Sequence, residues 1–203
     1  MLKAGASSPL VLVPRLTGDR DVAELKSFVR AHATVTLALE RWCRLTGLSE
    51  ASLTADVRGE VSYVKDPPPE IAADLRLRRA PEGYPIERVL LRRVELRSGT
   101  IGLVDAENWV LTDRLPSSIV HDLDQTATPF GRLIAELGPT RIDVRDIDPS
   151  AIRSALDAEP PLFAQQAVIC SGDGVRLAVV RERFLPALIG EKAEKNRPAR
   201  NDD

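Results

Sequence analysis

ERVLLRRVELRSGTIGLVDAENWVLT, residues 87–112, decides the fold. Two long strands, 87–97 and 101–112, are expected here, joined at Ser98-Gly99-Thr100. Successive side chains of a strand point to opposite faces. Leu90, Arg92, Val94 and Leu96 therefore share one face, and Leu91, Arg93, Glu95 and Arg97 share the other. The first face is apolar except for Arg92; the second is mostly charged. The last stretch of the chain repeats the pattern. Residues 163–170 and 175–185 read as a hairpin across Ser171-Gly172-Asp173-Gly174. Ala178, Val180, Glu182 and Phe184 share a face, on which Glu182 is the lone charge. A buried unpaired charge is costly, so Arg92 and Glu182 each need a partner or a task. They could pair with each other. Alternatively they could line a cavity, the arginine holding a carboxylate ligand and the glutamate moving a proton. Periodicity leaves both readings open.

Working outward, Asp21 can cap a helix carrying Val22, Leu25, Phe28 and Val29 on one stripe. A second helix is expected from the N-cap Thr34 to the stop at Gly47. Residues 53–64 read as a strand pair broken near Gly59. KDPPPE, residues 65–70, reads as a loop, followed by a helical piece at 71–79. Helices are expected at 115–125 and 129–137, a strand at 142–144 and a helical turn at 149–157. Hairpin-connected strands with clustered helices predict an α+β fold, a single antiparallel β-sheet with helices packed on one face. Residues 1–190 form the expected domain, and 191–203, with no apolar anchor, a frayed tail.

Composition removes several function classes. Of 203 residues 43% are hydrophobic, enough for a core, and the net charge of −2 offers no basic excess for nucleic acid. Cys43 and Cys170 form no CxxC, and His32 and His121 form no HExxH, so neither a metal nor a disulfide scaffold is expected. The apolar run at residues 9–14 is too short for a signal sequence or a membrane span, and a cytoplasmic chain is expected. SGDG is a hairpin turn with no helix after it to hold phosphate. Asp105 and Glu107 read as exposed strand charge, and Ser117-Ser118 lacks a nucleophile elbow.

Four segments carry a resemblance. LLRRVEL (residues 90–96), TDRLPSSI followed by TPFGRLIAELG, RERFLPA (181–187) and TVTLALE (34–40) resemble, in order, segments of the chorismate pyruvate-lyase family. The likeness spans roughly residues 22–188 and is nearest to the divergent branch that supplies 4-hydroxybenzoate to secondary products such as phenolic lipids. The family's ligand-binding arginine falls on Arg92 and its catalytic glutamate on Glu182. Phe130 stands where the family has leucine, and the usual DGxPW loop is missing.

The resemblance implies a chorismate lyase-like fold whose helices close over a buried ligand. It also implies conversion of chorismate to 4-hydroxybenzoate and pyruvate with no cofactor. Arg92 would hold the ring carboxylate, and Glu182 would assist at the departing ether oxygen, move the proton or simply position the substrate. Val35, Thr36, Phe130 and Gly131 would line the pocket. Arg132 or Arg141 would meet the second carboxylate, unless both are solvated surface charges. The alternative is a non-catalytic module that senses an aromatic carboxylate, as related domains of transcription regulators do. Neither nucleic acid nor membrane is an expected partner, and the oligomeric state is left open.

Overall fold

The computed structural model describes residues 22–58, 61–83, 85–152 and 160–190. The expected cap Asp21, the break at Gly59, the end of the turn at 149–157 and the tail 191–203 lie outside the described residues.

The central hairpin forms as the alternation predicts, with β3 (Val89–Ser98) antiparallel to β4 (Ile101–Leu111). Gly99, in the connection, has a φ of 59°, the left-handed conformation that a tight turn needs. β6 (Phe163–Cys170) and β7 (Arg176–Phe184) form the C-terminal hairpin, and β7 pairs with β4 to join the two. β5 (Thr140–Asp146) adds one edge beside β6, and β1 (Leu53–Val57) lies at the other beside β3. β2 (Ser62–Val64) does not pair with β1; both lie along β3. Among the described residues this is one seven-stranded antiparallel sheet, ordered β1-β3-β4-β7-β6-β5.

The inner face is read off the register. Leu90, Val110, Ala178 and Ile169 form one apolar row, and Leu96, Val104, Phe184 and Phe163 another. Two helices, α1 (Val22–Arg30) and α2 (Val35–Thr46), cover the second row with Leu25, Val29, Leu39 and Trp42. Thr34 caps α2 by accepting from the Leu37 amide at 3.3 Å, and Gly47 ends it at φ 65°. Trp42 Nε1 donates to the Leu188 carbonyl at 2.8 Å and ties α2 to the last turn. The first row lies beneath α4 (Ser117–Gln125) and α5 (Phe130–Leu133) through Leu123, Phe130 and Ile134. α5 stops after four residues and continues as a 3-10 turn that Gly138 closes.

The outer face carries the helical piece expected after the proline run, but it starts earlier and ends sooner than 71–79. α3 (Pro69–Leu75) begins inside KDPPPE, because proline at a first-turn position loses no intrahelical bond. Ile71 and Leu75 cover Val89, Leu91, Trp109 and Val179 there. The rest of the outer face is charged and paired across strands. Arg93 meets Glu107 at 3.0 Å, Arg183 meets Asp105 at 3.6 Å, and Glu95 is held by Arg58 and Arg97. Asp105 and Glu107 are thus buried in ion pairs, not exposed strand charge. Both cysteines are buried, and burial pushes the Cys43 thiol up to about 11. No helix among the described residues is long and apolar enough to cross a membrane.

Candidate functional site

Between the two inner apolar clusters runs a polar stripe. One row of the sheet carries Arg92 and Asn108 beside Val180 and Ala167; the next carries Glu182 and Gln165 beside Val94 and Ala106. All four polar side chains are buried. Arg92 and Glu182 do not pair. Strand β4 lies between them, about 10 Å of sheet, and each has other partners.

Arg92 gives its two Nη groups to the carbonyls of Thr126 and Thr128, at 2.8 and 3.1 Å. These belong to the loop before α5, which is itself fastened to the β1 edge by Ala55 N donating to the Ala127 carbonyl at 2.8 Å. Arg92 is completely buried, has no carboxylate partner among the described residues, and its Nε is unsatisfied. Burial lowers its pKa. Glu182 accepts from Arg141 Nη2 at 2.8 Å and from Gln165 Nε2 at 3.1 Å. Burial raises the Glu182 carboxyl above its ordinary value, outweighing the downward pull of Arg141 and Gln165. The Arg141 side chain is only 2% exposed, so it belongs to the interior and not to the solvated surface. Arg132, by contrast, points outward to an ion pair with Glu40 and is 42% exposed.

A cavity of about 30 Å³ sits over the middle of this stripe. Its floor is Leu96, Ala106, Asn108, Ile169, Val180 and Glu182; its roof is Thr34, Val35 and Thr36 of α2 with Phe130, Gly131 and Ile134 of the α5 region. The structure therefore brings Val35, Thr36, Phe130, Gly131 and Glu182 to one enclosure. Arg92 and Arg141 are not among the lining residues: Arg92 is the cross-strand neighbour of the lining Asn108, and Arg141 bonds the lining Glu182. Arg132 lies elsewhere, in a wider outer groove of about 440 Å³. Thr34, Thr36 and Gly131 border both spaces. Gly131 allows this close approach: a Cβ there would lie 2.7 Å from Thr36 Oγ1 and 2.8 Å from Thr34 Cβ.

Two site residues were not singled out from the sequence. Asn108 lines the cavity, and its side-chain amide makes no hydrogen bond to a described residue. Gln165 has a buried, unsatisfied Oε1. The strand alternation that exposes Arg92 and Glu182 also marks both, each being polar among apolar same-face neighbours.

No protein-family model matches the chain. The uncharacterized protein y4mC of Sinorhizobium fredii (strain NBRC 101917 / NGR234) is 29% identical over 123 residues, 59% of this chain and 48% of that protein. The chain thus spans about half the length of the curated relative it matches. Among solved structures, the effector domain of PhnF from Mycobacterium smegmatis is similar with a TM-score of 0.53 and 16% identity, over 75% of this chain and 88% of that one. Full PhnF gives a TM-score of 0.53 and 16% identity over 77% and 65%. The C-terminal domain of the histidine utilization repressor from Pseudomonas syringae pv. tomato gives 0.44 and 16% over 66% and 92%. At these identities the likeness is one of fold: this chain shares with the PhnF effector domain a chorismate lyase-like α+β fold, a single antiparallel sheet under helices.

Proposed function

We propose that this chain is a ligand-binding module that closes over a small aromatic carboxylate. The observation that carries the reading is a surplus of buried positive charge. Arg92 and Arg141 are buried one residue behind the cavity lining, next to Asn108 and Glu182; Glu182 answers Arg141, and Arg92 has no carboxylate partner among the described residues. Charge in a low-dielectric interior calls for compensation, and an anion beside Arg92 supplies it. The apolar remainder of the wall suits a ring. The effector-domain fold of PhnF supports the same reading. A ring needs more than 30 Å³, so the ligand enters as α5 and the start of α2 part at Gly131, joining cavity and groove into a space of ordinary ligand-site size.

Chorismate pyruvate-lyase activity is the second reading, favoured by one observation. Glu182 lines the cavity with a carboxyl that burial raises above its ordinary value, the direction that favours holding a proton. Calorimetry with 4-hydroxybenzoate, together with chorismate incubation followed by pyruvate detection, separates the readings. Binding without turnover is the expected result. Pyruvate release would establish the second reading, and neither binding nor turnover would overturn both.

A further inference from the structure

We infer that Asn108 determines ligand specificity, by hydrogen-bonding an uncharged polar substituent, a hydroxyl or carbonyl, on the ligand's apolar skeleton. The inference rests on the reading of the cavity as a ligand site and adds to it what the ligand must carry.

The sheet floor of the cavity offers two polar side chains, and they differ in commitment. Glu182 is engaged by Arg141 and Gln165. Asn108 is 5% exposed, faces Arg92 in the β3–β4 register and Val180 in the β4–β7 register, and has no side-chain partner among the described residues. Arg92, its cross-strand neighbour, spends both Nη groups on Thr126 and Thr128 and none on the amide. The other floor residues, Leu96, Ala106, Ile169 and Val180, are apolar. An amide kept in such a wall costs stability unless something bonds to it. Its two N–H donors and one acceptor oxygen suit a neutral group that can donate or accept, such as a ring hydroxyl. A site built around such a bond also rejects the analogue that lacks the group, because the buried amide is then stranded.

The test compares benzoate, 3-hydroxybenzoate and 4-hydroxybenzoate by calorimetry on the wild type and on Asn108→Leu, a change of similar volume. The wild type is expected to prefer at least one hydroxybenzoate over benzoate by roughly tenfold. Asn108→Leu is expected to erase that preference while still binding benzoate. Its thermal midpoint without ligand is expected to stay close to that of the wild type, since the amide bonds to no described residue. Equal wild-type affinities, or a preference that survives in Asn108→Leu, would overturn the assignment and leave the ligand site standing. A clearly lower midpoint would make Asn108 a structural group and also overturn it. Failure of the wild type to bind any of the three acids would remove the aromatic-carboxylate reading, and this inference with it.

Discussion

Arg141, on the edge strand β5, reaches past β6 to hold Glu182 on β7, Nη2 to Oε2 at 2.8 Å, with both side chains almost wholly out of solvent. The pair joins the sheet's edge to the cavity floor. Buried pairs add little net stability over apolar replacements, but removing one member strands the other. Arg141→Met is therefore expected to lower unfolding free energy by about 3–5 kcal/mol. The double change Arg141→Met with Glu182→Leu should recover most of that loss in urea denaturation.

Glu182 also gives stability a distinctive pH dependence. Its folded-state pKa is raised, so the native protein binds the proton more tightly than the unfolded chain. Its contribution is full below the unfolded value of about 4.5 and is lost as pH rises through the folded value. Glu87 works in the opposite sense. Arg114 holds its carboxyl down to about 2, so its contribution is present above the unfolded value and is lost as pH falls toward 2. The difference in thermal midpoint between wild type and Glu182→Gln should fall as pH rises above about 4.5. A flat difference would place an unshifted carboxyl at residue 182.

Arg92 and Arg93 are adjacent in sequence and opposite in consequence. Arg92→Ala is expected to weaken 4-hydroxybenzoate binding by about 2–5 kcal/mol, the cost of losing one member of a buried charge-assisted pair. Arg93→Ala should leave affinity unchanged, although it strands the buried Glu107 and lowers stability. Calorimetry measures the first effect and urea denaturation the second. Equal affinities in the two variants would take Arg92 out of the site.

Gly131→Ala tests the closure. The added methyl meets Thr34 and Thr36 inside contact distance, so α5 must move away from α2. A stability loss of about 1–3 kcal/mol is expected, the usual cost of overpacking. Hydrogen exchange should quicken in the first turn of α2. An unchanged exchange pattern would mean that this junction does not shut the cavity.

Much of the fold was legible because strand alternation is a local property. The hairpins β3–β4 and β6–β7, the Thr34 cap and the Gly47 stop all follow from short-range signals, and Arg92 and Glu182 stand out as polar residues on apolar faces. Their partners were not legible. Glu182 meets Arg141 through an edge strand with an irregular register between Ile142 and Arg145, and no local pattern encodes which strand lies beside β6. Arg132 follows Gly131 in sequence, yet the turn of α5 sends its side chain to Glu40 and away from the cavity. Asn108 and Gln165 were visible by the same alternation but carry no charge to draw notice. The apolar row Leu91, Trp109 and Val179 was the signal for a cover on the outer face; the helix that supplies it was expected at 71–79, and the prolines of KDPPPE hid its start at Pro69.

The cavity floor straddles the seam between β4 and β7: Leu96, Ala106 and Asn108 come from one hairpin, Ile169, Val180 and Glu182 from the other. Each hairpin can zip locally, but their meeting is a long-range event and the slower kind of step in folding. Neither hairpin alone carries the cavity floor, so the enclosure exists only once the two hairpins have met. A molecule bound there grips both halves, and mass action makes it a clamp on the whole fold. On the proposed reading, cells would hold more of the intact protein when the ligand is plentiful.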